Sequence, residues 1–299
     1  MTVLAGVWLS MRPRQWVKNL FVFAGLIFAQ QLFTARLWTA LAAFAIFCGL
    51  SSAMYLLNDV ADLEKDRRHP TKRFRPIASG ALPRGTALAA GVVLLAASLA
   101  AAAALRPEFG LVALGYAVLM TVYSIWLKQE VILDVLALAV GFVLRAVGGA
   151  VAIQVDISGW LLICTFLVAL FLALGKRRHE YLALEGSAPA HRPTLAEYSE
   201  GFLDQMIGVV TASTVTAYAL YTMSPETIAK FHTRLLPVTL PFVLYGVFRY
   251  LYLLYRRDLG GNPSDLLLSD RALLVNTVLW MLAVLAIIYG PLWRPSRAG

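Results

Sequence analysis

Asn58-Asp59-Val60-Ala61-Asp62-Leu63-Glu64-Lys65-Asp66 stands where a long apolar run meets a charged segment. On a continuous helix Asp59, Asp62 and Asp66 follow an i, i+3, i+7 spacing and fall on one face. Like charges on one face repel, and carboxylates near hydrocarbon are costly, so the arrangement asks for a cation. Hard oxygen donors suit Mg²⁺, which commonly takes one or two carboxylates together with substrate phosphate oxygens. Basic residues follow at once: Arg67, Arg68, Lys72, Arg73 and Arg75. Metal-holding carboxylates beside phosphate-neutralising cations predict a diphosphate site at a membrane surface. A solvated acidic helix end is the bland alternative, and it leaves Asn58 and the basic loop unexplained.

The rest of the chain supplies the membrane. Of 299 residues, 60% are hydrophobic and only 14% are charged, with a mean hydropathy of +0.71. A soluble domain has no use for that much apolar surface, so the composition predicts an all-α polytopic membrane protein. The apolar runs last about 20 residues without the alternation of barrel strands. Cys48 and Cys164 lie inside such runs without metal-ligand spacing and read as small core residues. Met1 to Ser10 is apolar, but its charges follow rather than precede it. That order is wrong for a cleaved signal peptide and suits a short interfacial segment.

Hydropathy and chain breakers give nine expected spans: 17–34, 39–57, 84–105, 109–127, 132–153, 158–175, 203–223, 235–255 and 271–292. They are expected to form a single transmembrane domain over 1–299, around a central cavity. The N-terminus and the connections after spans 2, 4, 6 and 8 hold 18 of the 26 Lys and Arg. The positive-inside rule puts that face and the N-terminus in the cytoplasm, with the C-terminus outside. The net charge of +9 therefore reads as topology and anionic-lipid contact rather than nucleic-acid binding.

This topology gathers the chemically suggestive loops on one face. The connection after span 4 holds Tyr123, Lys128 and Asp134, and the one after span 6 holds Lys176, Arg177, Arg178, His179 and Glu180. Lys176 and Arg177 alone would be helix-end anchors; beside a metal site they suit phosphate. His179 has no second His at ligand spacing and reads as interfacial. Arg145 lies deep in span 5, where an arginine faces a cavity or pairs with an acid. Arg249 is close enough to the surface to snorkel. Asn262-Pro263-Ser264-Asp265 reads as a capped helix start, and capping also accounts for its acid. Ser51 and Ser124 read as packing residues. There is no nucleophile elbow, Walker loop or dinucleotide fingerprint.

These residues resemble the UbiA superfamily of intramembrane prenyltransferases. Its first motif, Asn-Asp-x-x-Asp-x-x-x-Asp, matches Asn58, Asp59, Asp62 and Asp66 without a gap. The chain looks most like the branch that transfers phosphoribose to decaprenyl phosphate. That likeness rests on Arg12-Pro13-Arg14-Gln15-Trp16-Val17-Lys18-Asn19, the run from Asn58 through Gly80, and Arg145-Ala146-Val147-Gly148-Gly149. It extends to Gly175-Lys176-Arg177 with Glu180, and to Pro263-Ser264-Asp265. Ordinary members carry a second Asp-rich motif after span 6; here Lys176-Arg177-Arg178-His179-Glu180 stands in its place.

The resemblance implies Mg²⁺-dependent transfer of 5-phosphoribose from phosphoribosyl diphosphate to a polyprenyl phosphate, for cell-envelope arabinan precursors. It implies Asp59, Asp62 and Asp66 at the metal, and Lys72, Arg73, Arg75, Lys128, Lys176 and Arg177 on phosphates. Lys18, Asn19 and Arg145 would orient the acceptor head group, with Asn58, Tyr123 and Glu180 completing the site. A plasma-membrane location and a homotrimer are further implications. Two other functions remain open from the sequence: prenyl transfer to an aromatic acceptor, and lipid-phosphate transport.

Overall fold

Apolar runs of this length leave backbone groups no partner in lipid except one another, so they fold as helices. The structure is a computed structural model that describes residues 2–183, 195, 197–257, 261 and 263–290. After a short α1 (Val3–Ser10), a 3₁₀ segment (Pro13–Phe23) and α2 (Ala24–Phe28) come α3 (Arg36–Ala61) and α4 (Leu63–Arg68). Then follow α5 (Arg84–Leu105), α6 (Pro107–Ile125), α7 (Leu133–Ala152), α8 (Gly159–Ala183) and α9 (Glu200–Met223). The chain continues through α10 (Pro225–Phe231), α11 (Leu240–Arg256), α12 (Pro263–Ser269) and α13 (Arg271–Tyr289).

Among the described residues eight helices are long and apolar enough to cross a membrane: α3, α5, α6, α7, α8, α9, α11 (with the 3₁₀ turn before it) and α13. Burial sorts them. The apolar windows of α3 and α7 are 56% buried and those of α5 and α6 only 17% and 22%, so α3 and α7 form the centre. One core cluster joins Phe47 to Phe109 and Tyr116. There Gly148 makes room, since a Cβ on it would run into the Phe47 ring. A second cluster joins Phe171, Leu203, Tyr250 and Leu253 across α8, α9 and α11. Helices α7 and α8 pack together and tie the two halves.

Two expectations are corrected here. Residues 17–34 do not form an α-helical span. The 3₁₀ segment and α2 occupy 13–28, and turns follow. At about 2.0 Å and 1.5 Å per residue, the two pieces end to end reach roughly 30 Å. Their conformation is set by neighbours more than by hydropathy. Asn19 is fully buried and bonded to Cys48 and Ser51 of α3, and Val22 lies against Gly149 of α7, backbone to backbone.

The second correction concerns the continuous acidic helix. It breaks at Asp62 (φ −90°, ψ 9°), which ends α3 and starts α4. The three carboxylates therefore do not share one straight face. Asn262, expected to cap α12, lies outside the described residues.

Candidate active site at the α3–α4 break

The turn at Asp62 is still hydrogen bonded, with its N–H donating to Asn58 O at 2.8 Å and the Asp66 N–H donating to Asp62 O at 2.8 Å. It carries Asp59 and Asp66 inward, where both are buried. Arg75 bridges them: its Nη1 donates to Asp59 Oδ1 at 3.0 Å and to Asp66 Oδ2 at 2.6 Å. Arg12 Nη2 donates to the same Asp59 oxygen at 2.5 Å. Asp62 faces another way and accepts from Lys128 Nζ at 2.7 Å and 3.0 Å. Burial pushes the Asp66 carboxyl above its usual range, and the Arg75 cation opposes that shift. Asn58 Oδ1 accepts a short hydrogen bond from Ser124, the residue after Tyr123 on the last turn of α6.

Arg12 reaches Asp59 from a left-handed backbone (φ 54°, ψ 62°) just ahead of Pro13, a conformation that costs a non-glycine residue about 1–3 kcal/mol. Its guanidinium also lies 4.9 Å from the Tyr55 ring centroid. A strained backbone holding a cation on a buried carboxylate is a common signature of a working site.

As the described side chains stand, no group of three or more His, Cys, Asp or Glu is close enough to hold a metal. The donor chemistry nonetheless fits Mg²⁺. Two buried carboxylates lie so close that one guanidinium nitrogen touches both, and hard oxygens are what that ion takes.

Below this cluster lies a second polar layer. Asn19 Nδ2 donates to Ser51 Oγ at 3.1 Å and Cys48 Sγ at 3.3 Å, and Asn19 Oδ1 accepts from Arg145 Nε at 2.8 Å. The other Arg145 nitrogens donate to Gly141 O at 2.9 Å and Tyr116 Oη at 2.7 Å. Every one of these partners is neutral, so Arg145 is satisfied in hydrogen bonds and uncompensated in charge. Among the described residues no acid pairs with it; its partners are an amide, a main-chain carbonyl and a phenol. Lys18 lies within electrostatic reach of Arg145, Arg12 and Lys176, opposed by Asp265. Positive charge accumulates between α7 and the 3₁₀ segment, where an anion would relieve it.

The basic stretch on α8 divides. Arg177, 2% exposed, donates from Nη2 to Asp134 Oδ2 at 2.7 Å and from Nη1 to Glu180. Asp134 also accepts from Tyr198 Oη at 2.8 Å, and that hydroxyl accepts the Ile132 N–H at 2.8 Å. Arg178 pairs with Glu200 and Asp204, both at 2.6 Å, and stacks on Tyr255. These two cations are spent on carboxylates. Lys176 is 43% exposed, with Glu180 3.5 Å away, and it faces Lys18 and Lys72. Arg73 is exposed and stacks on Phe74. Arg249 pairs with Asp270, which also caps α13 through the Leu273 N–H.

Asp59 and Asp66 thus meet at Arg75, Asp62 turns to Lys128, and Arg177 pairs with Asp134 and Glu180. Sequence reading missed the roles of Arg12, Ser124, Ser51 and Tyr116. Only Arg12 left a signal, as the basic residue before Pro13 in the quoted motif.

The chain can now be set beside known proteins. The profile of the UbiA prenyltransferase family matches residues 19–269. The decaprenyl-phosphate phosphoribosyltransferase of Mycobacterium tuberculosis is 33% identical over 289 residues, covering 94% of each chain. The enzyme of the same name from Corynebacterium glutamicum is 33% identical over 294 residues, covering 94% of this chain and 86% of its own length. In fold, a UbiA homolog from Archaeoglobus fulgidus bound to GPP and Mg²⁺ superposes with a TM-score of 0.73 at 19% identity, covering 95% of this chain and 99% of that one. Motif, helical architecture and full-length similarity agree, and the chain belongs to the UbiA prenyltransferase family.

Proposed function

We propose that the protein transfers 5-phosphoribose from phosphoribosyl diphosphate to the phosphate of a polyprenyl phosphate, decaprenyl phosphate being the acceptor named for its relatives. The observation that carries this reading is the placement of charge. The acidic cluster at Asp59, Asp62 and Asp66 is held by Arg12, Arg75 and Lys128, and where ordinary family members have a second acidic motif, Lys176 lies near Lys18 and Lys72, with Glu180 and Asp265 beside them. A donor with a diphosphate and a separate 5-phosphate, plus a phosphate acceptor, matches that surplus of cations. A prenyl diphosphate and a neutral aromatic acceptor would leave it unused.

Asp59 and Asp66 would hold Mg²⁺, with Asp62 beside them; bound there, the ion neutralises the leaving diphosphate. Arg75, Arg12, Lys72 and Lys128 are within reach to neutralise the remaining phosphate charge. Lys18, Asn19 and Arg145 position the acceptor phosphate. The acceptor is already anionic near neutral pH, so no general base is needed, and placement with preorganised charge supplies the acceleration. Arg177 is assigned to holding α7 and α8 together rather than to phosphate. In this reading the site faces the cytoplasm, the C-terminus lies outside the plasma membrane, and one transmembrane domain carries the whole site.

The test uses purified protein with labelled phosphoribosyl diphosphate and polyprenyl phosphate. Label should enter the lipid extract with release of diphosphate, while prenyl diphosphate with 4-hydroxybenzoate gives no product. Aromatic prenylation without ribosylated lipid would overturn the assignment.

A further inference from the structure

Each acid of the motif is held by a cation from a different part of the chain: Arg12 before the 3₁₀ segment, Arg75 after α4, and Lys128 after α6. The carboxylates at Asp59 and Asp66 are 3% and 6% exposed, whereas Arg12 and Arg75 are 28% and 27% exposed. The acids are fixed by their helices; the cations arrive from partly solvated loops and can leave. A buried, ionised carboxylate pair without a counter-ion is strongly disfavoured, so a cation stands between Asp59 and Asp66 whenever both are charged.

From this arrangement we infer that Arg75 and Arg12 are exchangeable counter-ions that make metal and donor binding mutually dependent. This rests on the reading of Asp59 and Asp66 as metal ligands. The guanidinium nitrogen of Arg75 sits between the two carboxylate oxygens that would serve a divalent ion. A metal arriving alone must displace it and leave Arg75 and Arg12 without an anion. A metal arriving with a diphosphate gives both arginines a new partner, because Arg matches phosphate oxygens as well as it matches carboxylate. Ion pairs would be traded rather than lost. The exchange would also draw the segments carrying Arg12 and Arg75 over the donor, ordering the site only when both ligands are present. Linkage makes the coupling reciprocal, so donor affinity must depend on metal by the same factor.

The experiment reads metal binding directly. Mn²⁺ bound to purified full-length protein in nanodiscs is measured by the loss of its free-ion paramagnetic resonance signal. Labelled phosphoribosyl diphosphate binding is measured separately, at fixed free Mn²⁺ and without acceptor. Wild-type protein should bind Mn²⁺ weakly alone and at least tenfold more tightly with donor, after correction for the metal–donor complex in solution. Arg75→Gln should bind Mn²⁺ alone at least tenfold more tightly than wild type, bind donor at least tenfold more weakly, and lose most of the coupling. Lys72→Gln removes a nearby charge bonded to neither carboxylate, and should tighten Mn²⁺ alone by less than threefold. If Arg75→Gln does not fold, Arg12→Gln carries the same test. Equal Mn²⁺ affinity in wild type and Arg75→Gln, or no coupling in wild type, would overturn the exchange. Mn²⁺ binding by Asp59→Asn equal to wild type would instead overturn the metal-ligand reading beneath it.

Discussion

Two clusters of acids and bases lie in this protein, and they differ in what water can reach. At the α3–α4 break the carboxylates are buried but their cations, Arg12 and Arg75, are more than a quarter exposed. Between α7 and α8 both members of the central pair are sealed, Arg177 at 2% and Asp134 at 0%. A half-solvated cation can change partners at modest cost. A sealed pair cannot, because each charge would face several kcal/mol of desolvation alone. The first cluster has the character of a binding site, the second of a clasp between helices. Formal charge does not separate them; exposure does.

The sharpest way to break that contrast is at the first cluster. Asp59→Asn should lower metal-dependent transfer by roughly a hundredfold or more, since a metal's electrostatic contribution of several kcal/mol is at stake. Its unfolding midpoint should stay near that of wild type. Retained transfer in the folded variant would put the metal elsewhere.

At the second cluster the effect moves from rate to stability. Arg177→Ala takes the guanidinium from buried Asp134 and leaves the carboxylate its Tyr198 hydroxyl bond but not that cation, and should cost about 3–5 kcal/mol in unfolding free energy measured in mixed micelles. Replacing both partners, Arg177→Met with Asp134→Leu, should recover at least half of that loss. A single variant as stable as wild type but with weakened donor binding would return Arg177 to the phosphate site.

The smallest change tests neighbours in sequence. Lys176→Ala removes a partly exposed cation facing Lys18 and Lys72, and should raise the donor KM about three- to tenfold with little change in stability, solvent screening trimming the full value of a charged hydrogen bond. A drop in stability matching that of Arg177→Ala would erase the distinction between the two.

Much of this was legible before any coordinates. Apolar runs of membrane length announce helices because lipid offers the backbone no other partner, and eight such helices stand close to where hydropathy placed them. The acidic motif was legible too, since Asp59, Asp62 and Asp66 with Arg75 lie within 17 residues of one another. What escaped reading depends on contacts between distant residues. The segment 17–34 is apolar enough for a span, yet its backbone follows the bonds of Asn19 to α3 and the contact of Val22 with Gly149. The pairing of Arg177 with Asp134, and of Arg145 with Asn19 and Tyr116, leaves no trace in hydropathy. Residues 176, 177 and 178 read as one basic stretch; rotation of about 100° per residue around α8 sends them to three environments.

The contact at Gly149 has a consequence for how the second polar layer can vary. A methyl group there would lie 1.9 Å from the Val22 carbonyl oxygen, and one on Gly25 of α2 would lie 3.0 Å from Ala150, the next residue of α7. The main chains of α7 and the 3₁₀ segment are thus already at their closest approach, and no side chain acts as a spacer between them. Asn19 and Arg145 sit on these two strands of backbone, three and four residues from the touching point. The separation of those groups behaves like the jaw of a fixed-gauge tool: glycine at 149 gives one width, and any larger residue gives a wider one. Substitutions around this polar layer can change its side chains, but not by small steps how far apart the two main chains stand.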